Sequence, residues 1–103
     1  MEFLIIAKDG TDCDALSRRL TVREKHIALS DEAIQRGEQV VGAAILNEQG
    51  QMAGSAMIVD FPDREALQKW LDHEPYVTGN VWQDIQVFPC KIGPSFQNIK
   101  RSS

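Results

Sequence analysis

Residues 40–61 read VVGAAILNEQGQMAGSAMIVDF, and this segment predicts a β-hairpin. Two apolar runs, 40–46 and 54–61, flank the polar tetrapeptide Asn47-Glu48-Gln49-Gly50. A short polar segment that ends in glycine between two β-rich runs is typical of a hairpin loop. We therefore place two adjacent antiparallel strands in the middle of the chain.

A strand and a helix lie on each side of this hairpin. Before it, the β-rich run from Phe3 to Ala7 precedes a long helix over 14–37. After it, Pro62 begins a second helix, Pro75 ends or bends that helix, and residues 81–92 alternate in part as a last strand. The order β-α-β-β-α-β predicts an α+β fold, a ferredoxin-like sheet with both helices on one face.

The long first helix carries an apolar stripe and a polar stripe. The apolar stripe, which we expect to face the core, consists of Leu16, Leu20, Ile27 and Ile34. Gly37 is a natural end for this helix because glycine readily adopts the left-handed conformation of a C-terminal cap. The run Thr21-Val22-Arg23-Glu24 has the form of a capping box, so two helices in series are the alternative.

The predicted strands are apolar on both faces instead of alternating. Consecutive apolar residues occur in Phe3-Leu4-Ile5-Ile6, Val40-Val41 and Met57-Ile58-Val59. A sheet with helices on one face only would meet water on the other and would alternate. Large exposed apolar patches are uncommon, so we expect a homodimer packed sheet against sheet, with a cavity between each sheet and its helices. A monomer with one apolar face exposed is the alternative.

The chain of 103 residues has the length of one domain, and we expect a domain over 1–92 followed by a C-terminal extension over 93–103. Its 15 acidic and 11 basic residues give a net charge of −4, which disfavours a nucleic-acid partner. No apolar run is long enough to cross a membrane or to act as a secretory signal. Cys13 and Cys90 are isolated, so we expect two free thiols in a cytoplasmic protein.

The polar stripe of the first helix carries candidate chemistry. It consists of Arg19, Arg23, His26 and Ser30, which follow one another at steps of four, three and four. Arginine binds carboxylates and phosphates, and histidine exchanges a proton near neutral pH. The stripe could therefore bind and act on a small anionic substrate. The alternative is a solvated helix face.

A second candidate cluster, Asp72-His73-Glu74-Pro75-Tyr76, follows the second helix. An aspartate there could orient a histidine through one ring nitrogen and leave the other nitrogen free to act. The alternative is a solvated acidic loop. The sequence has no phosphate-binding, dinucleotide-binding or zinc-binding motif, and we expect neither a cofactor nor a metal ion.

These motifs together resemble the YCII family. Arg23-Glu24-Lys25-His26 fits an RxxH element of that family, and the Gly54-Ser55 pair is similar to the start of its third strand. The segment 72–77, DHEPYV, resembles a DxDPYV element in which Glu74 replaces the second aspartate and keeps its charge. The likeness extends over about residues 1–92.

The resemblance implies a dimeric α/β-barrel of ferredoxin-like subunits, in agreement with the homodimer that the strands predict. It also implies a catalytic pair, here His26 and Asp72, in a cleft of each subunit. Arg23, Ser55 and Tyr76 match motif positions that line such a cleft, so we assign them to substrate binding.

Three hypotheses of function follow. In the first, the chain is a cofactor-independent enzyme of lyase, dehydrohalogenase or isomerase type. His26 would transfer a proton to or from a small cyclic or aromatic anion, and Asp72 would fix the histidine tautomer. In the second, the same cleft only binds a small acid and catalyses nothing. In the third, the chain is a haem-binding or oxygen-using barrel with His26 or His73 as axial ligand.

Overall fold

The sheet is the element on which the rest of the molecule is built. The computed structural model describes residues 1–96. Its strands are β1 Glu2–Asp9, β2 Gln39–Leu46, β3 Met52–Asp60 and β4 Trp82–Cys90. They form one antiparallel sheet in the order β2-β3-β1-β4, with Ile5 paired to both Met57 and Val87. The helices are α1 Ala15–Gln35, α2 Arg64–His73 and α3 Pro75–Thr78, and a 3₁₀ turn covers Pro94–Phe96.

The order of elements is the predicted β-α-β-β-α-β, with the short helix α3 added between α2 and β4. The central strands place Phe3, Ile5 and Val59 on the helix-covered face of the sheet, where all three are fully buried. Leu67 and Trp70 of α2 pack into the same core. The chain thus has the ferredoxin-like fold that its sequence predicts, with its core between the sheet and the helices.

The first helix is continuous, so the alternative of two helices in series is wrong. The hydroxyl of Thr21 donates to the Ser17 carbonyl at 2.8 Å, a bond to the preceding turn that a threonine inside a helix can form. Gly37 ends the helix as predicted, with a φ of 75°. The Glu38 N–H then donates back to the Ala33 carbonyl at 2.8 Å and closes the C-terminal turn.

The predicted apolar stripe of α1 is only partly packed against the sheet. Leu20 is 52% exposed, and Ile27 and Ile34 are exposed as well. Arg19 from the polar stripe is only 3% exposed. The remaining inward contacts come from small or partly buried side chains, namely Ala15, Val22, Leu29 and Ala33. Ile27 and Ile34 line the cavity between α1 and the sheet, so the prediction is wrong at Leu20. It also missed Arg19, because helical periodicity cannot register the charged partner that the sheet offers to this residue.

The face of the sheet away from the helices, which we call the open face, is apolar. Pairing places Leu4 beside both Ile58 and Phe88, and Ile58 in turn beside Val41. Val41 is 48% exposed and Phe88 is 45% exposed. The lack of alternation in the sequence therefore corresponds to two apolar faces, of which the helices cover one.

Three further expectations concern single features. Cys13 and Cys90 are both free, as predicted. No helix within residues 1–96 is long and apolar enough to span a membrane. The predicted C-terminal extension over 93–103 falls largely on 97–103, which lie outside the described residues.

Candidate functional site

A cavity of about 220 Å³ opens between α1 and the edge of the sheet formed by β2 and β3. Arg19, Arg23 and His26 line it from α1, and Ser55 of β3 and Tyr76 of α3 complete this part of its wall. An engineered cavity of about 150 Å³ is known to hold one benzene molecule. The cavity therefore has room for a single substituted ring.

His26 is held by a buried carboxylate. Its Nδ1 lies 2.8 Å from Oε1 of Glu74, whose side chain is 0% exposed. The same oxygen accepts the backbone N–H of Tyr76 at 3.0 Å. A carboxylate accepts hydrogen bonds, so this contact assigns the proton of the neutral imidazole to Nδ1. The lone pair of Nε2 is then available to a ligand.

Glu74 reaches this position because it begins a helix. Pro75 is the first residue of α3, where its missing N–H costs nothing. Glu74 is the N-cap of α3, and its carboxylate caps the N–H of Tyr76. Capping turns the side chain toward the first turn of α3 and thus toward α1, against which α3 packs.

Aromatic rings fix the orientation of the imidazole. The ring of Tyr76 stacks on His26 with a centroid distance of 3.9 Å and an interplanar angle of 14°. Trp82 meets His26 edge-on at 6.2 Å. Burial raises the pKa of Tyr76 above its usual 10.0, against the lowering effect of the positive charges of Arg19 and Arg23. The phenol next to the imidazole is therefore a neutral hydroxyl at physiological pH.

Arg19 is a buried positive charge that is already neutralised. Its Nη1 donates to both carboxylate oxygens of Asp9 at 3.0 Å, and both side chains are almost completely buried. Its Nη2 donates to the hydroxyl of Ser55 at 2.9 Å, and Trp82 donates to the same hydroxyl at 3.2 Å. The guanidinium also lies over the Tyr76 ring at 4.5 Å. This network builds the wall behind His26 and leaves Ser55 as an acceptor for two protein donors.

Arg23 differs from Arg19 in both exposure and pairing. It lines the cavity but is exposed, and within residues 1–96 its guanidinium forms no ion pair. Arg23 is therefore the cavity's available cation, and its fork of N–H donors suits a carboxylate or another oxyanion. No three His, Cys, Asp or Glu side chains in the described part of the chain are arranged to share a metal ion.

The structure corrects the predicted partner of His26. Asp72 is exposed in the last turn of α2, and its Oδ1 accepts from Gln68 Nε2 at 2.9 Å on the outer side of that helix. The predicted contact between His26 and Asp72 is not formed, because Glu74 occupies the Nδ1 side of the ring. His73 is also exposed, and its Nδ1 bonds the Lys69 carbonyl. Of the residues predicted for the site, the cavity brings together His26, Arg23, Ser55 and Tyr76.

Sequence reasoning missed two acidic residues of this site. Pro75 is a signal for the first residue of a new helix, which places Glu74 at the N-cap position and could have distinguished it from Asp72. Asp9 continues the inward-facing period of two that Ile5 and Ala7 set along β1, so it could have been expected to face the helices. No comparable local signal pairs Asp9 with Arg19.

Known proteins resemble this chain over almost its whole length. A family model described as the YCII-related domain matches residues 1–91. The protein YciI of Escherichia coli is 35% identical over 97 residues, which cover 88% of this chain and 97% of that protein. An uncharacterised protein of Haemophilus influenzae is 33% identical over 98 residues, with the same coverage of 88% and 97%.

Solved structures share the fold. The 5-chloro-2-hydroxyhydroquinone dehydrochlorinase TftG of Burkholderia phenoliruptrix AC1100, in complex with 2,5-dihydroxybenzoquinone, superposes with a TM-score of 0.78 at 21% identity. The match covers 92% of this chain and 98% of that one. The family model and the sequence relatives together establish that the chain belongs to the YCII family.

Proposed function

We propose that this chain is a small cofactor-independent enzyme in which His26 transfers a proton to or from a substrate in the cavity. One observation carries the proposal: the imidazole is held at Nδ1 by the buried carboxylate of Glu74, against the stacked ring of Tyr76, at the wall of a ring-sized cavity. A fixed tautomer with a free basic nitrogen is what general acid–base catalysis needs.

Glu74 takes the role that the sequence assigned to Asp72. When Nε2 of His26 accepts a proton, the ring becomes a cation, and the adjacent carboxylate stabilises that cation through the hydrogen bond at Nδ1. Glu74 acts through the histidine and is thus a positioning residue. Arg19 remains paired with Asp9 during the reaction and forms part of the cavity wall. The negative charge of the substrate is therefore bound by Arg23.

The chemistry we propose is proton removal followed by elimination or isomerisation. Nε2 of His26 takes a proton from the substrate, and the electron pair left behind either expels an anionic leaving group or accepts a proton at another ring position. In the elimination the leaving group departs with the electron pair, so no oxidant or reductant is needed. The cavity wall holds no activated hydroxyl or thiol nucleophile among the residues described, since Ser55 accepts bonds from Arg19 and Trp82.

The proposed substrate is a small cyclic or aromatic anion. The cavity of about 220 Å³ limits it to one ring, and Arg23 supplies the charge that would bind an anionic substituent. The dehydrochlorinase TftG is a ferredoxin-like subunit of very similar shape, and its bound molecule is a dihydroxybenzoquinone. That relationship supports cyclic oxygenated compounds as the first compounds to test.

We also propose that the protein is a homodimer that pairs its open faces. Leu4, Val41, Ile58 and Phe88 line this face, and an apolar groove of about 350 Å³ runs over Leu4, Val41 and Ile58 toward Phe96. A second copy of the same apolar surface is the partner that would remove it from water.

A deuterium-exchange assay tests the catalytic proposal whichever leaving group the substrate carries. Chlorinated hydroquinones and cyclic keto acids are incubated with the full chain in D₂O, and NMR follows loss of ring C–H signals while an electrode follows chloride release. We expect exchange or chloride release with the wild type and with Asp72→Asn, and loss of at least about a hundredfold in rate with His26→Gln.

The same assay separates catalysis from binding alone. If compounds bind in a manner that depends on Arg23 but none exchanges a proton, the protein is the non-catalytic small-acid module. Exchange that survives in His26→Gln would reject the assignment of His26 as the proton-transfer group.

A further inference from the structure

Two buried polar atoms without partners lie beyond His26 along the cavity. They are Oγ of Ser30 on α1 and Oε1 of Gln39 at the start of β2, and neither bonds another atom within residues 1–96. Gln39 is only 4% exposed as a residue. Both residues line the cavity that contains His26.

Buried polar atoms without partners are costly, and within residues 1–96 Nε of Arg19, Nε1 of Trp70 and Oε2 of Glu74 also lack one. A buried polar group without a hydrogen bond costs on the order of 1–3 kcal/mol, and native proteins satisfy most of these groups with protein atoms, water or ligand. Gly42 supports a built site, because a Cβ at that position would lie 3.0 Å from Nε2 of Gln39. The absence of a side chain at position 42 therefore leaves the amide its space beside the cavity.

The Ser30 hydroxyl and the Gln39 amide are suited to bind an uncharged hydroxyl group of a ligand. A serine hydroxyl both donates and accepts, and a glutamine amide offers one acceptor and two donors. Oε1 of Gln39 can only accept, so it needs a donor, and the Ser30 hydroxyl can donate to the oxygen of that same donor group. The pair therefore complements a hydroxyl, and neither a carbonyl nor a carboxylate. The cationic Arg23 lies on the His26 side and serves the charged substituent instead.

The spacing along α1 matches one ring. Ser30 follows His26 by four residues, which is about 6 Å along a helix axis, and Ile27, Ile34 and Met57 supply apolar wall around the cavity. A six-membered ring with substituents on opposite sides spans a distance of that order. The cavity thus has a proton-transfer end at His26 and a second polar end at Ser30 and Gln39.

We propose that Ser30 and Gln39 form a subsite that binds a neutral hydroxyl group of the substrate, on the side of the ring opposite to the anionic group. This inference rests on the proposed function for the location of the reacting group, and it adds a requirement for a second oxygen. Substrates of this chain are accordingly rings oxygenated at opposite positions. A ring without the second oxygen leaves Ser30 and Gln39 unpaired and binds more weakly.

Two probes that differ by one hydroxyl test the subsite. Isothermal titration calorimetry compares benzoate with 4-hydroxybenzoate on the full chain. We expect 4-hydroxybenzoate to bind about tenfold tighter, the worth of one net hydrogen bond. Ser30→Ala and Gln39→Leu should each reduce this ratio to near one without weakening benzoate. Ser17→Ala, which changes an exposed serine of the same helix, is the matched control and should keep the ratio.

Three outcomes would overturn the subsite: equal binding of the two probes by the wild type, no binding of either probe, or a ratio that survives in both Ser30→Ala and Gln39→Leu. Circular dichroism checks that each variant is folded. If Gln39→Leu does not fold, the ratio measured with Ser30→Ala decides the test. Failure of the proposed function can be distinguished from failure of the subsite. In that case the wild type would exchange no deuterium, but 4-hydroxybenzoate would still bind more tightly than benzoate.

Discussion

Nδ1 of His26 and Oε1 of Glu74 lie 2.8 Å apart although 48 positions separate the two residues in the chain. The carboxylate is also the N-terminal cap of α3, so one oxygen joins the histidine of α1 to the first turn of another helix. The position of the imidazole is thus coupled to the folding of α3. A change at Glu74 should affect local structure and chemistry together.

Glu74→Gln tests this coupling against Asp72→Asn, a change of the same type two residues away. We expect Glu74→Gln to lower the free energy of unfolding by about 1–3 kcal/mol, because a fully buried acceptor with two bonds is replaced by a weaker one. Asp72→Asn should change it by less than about 0.5 kcal/mol, as an exposed substitution does. Urea unfolding measures both values.

The histidine tautomer supplies a readout beyond stability. ¹⁵N NMR of the wild type should show the proton of neutral His26 on Nδ1, and Asp72→Asn should preserve that pattern. A change of tautomer in Asp72→Asn, or equal loss of stability in the two variants, would contradict the assignment of Glu74 as the partner.

Arg19→Met tests the buried ion pair behind the site. Removing one partner leaves the carboxylate of Asp9 buried without its counter-charge, so we expect a loss of about 3–5 kcal/mol in the free energy of unfolding. Arg18→Met is the matched control on the adjacent residue: Arg18 pairs with Asp12 at the surface, so its removal leaves no buried charge and should cost much less. Comparable losses in both variants would show that the Arg19 pair is no more important than a surface pair.

Titration of Tyr76 tests the burial of the site. The sequence contains one tyrosine, so the near-ultraviolet phenolate signal reports Tyr76 alone. Burial raises the pKa of Tyr76 above 10.0, and we expect a spectrophotometric midpoint above that value in the folded protein. A midpoint at or below it in protein shown to be folded by circular dichroism would contradict the buried stack.

The same shift predicts the sign of a stability change at high pH. The folded state retains the phenolic proton where the unfolded chain has already lost it, so this contribution is fully present below the unfolded pKa of about 10. It is lost as the pH rises through the raised folded-state pKa. Tyr76→Phe should lack this part of the alkaline decline in stability, which urea unfolding at a series of pH values measures.

Substitutions on the open face test the homodimer. Sedimentation equilibrium at micromolar concentration should give the wild type a mass near twice the 11.5 kDa of one chain. Val41→Lys should shift the protein toward the monomer, because it places a charge on the apolar surface that the proposed interface would bury. Leu20→Lys alters an equally exposed apolar residue on α1 and should leave the dimer intact. A wild-type mass of one chain would reject the proposal.

Local signals in the sequence predict the fold, and the resemblance to the YCII family predicts part of the candidate site. Hairpin residues between two β-rich runs, the helix end at Gly37 and the proline at position 62 are local signals, and local backbone preferences decide them. The sequence also predicts that both faces of the strands are apolar, because the side chains of a strand alternate between faces with a fixed period of two. His26 became a candidate through its place in the polar stripe with Arg23, and the resemblance to the YCII family implied its role.

Contacts between distant elements determine which side chains of α1 pack against the sheet and which carboxylate contacts the histidine. Arg19 turns inward because Asp9, on β1, stands on the helix-covered face of the sheet, and a buried charge is stable only beside its counter-charge. Glu74 contacts His26 in place of Asp72 because α2 ends at His73. The chain then begins a new helix at Pro75, and the N-cap residue of that helix points to α1. Both outcomes depend on contacts between elements distant in sequence, and periodicity within one element carries no information about them.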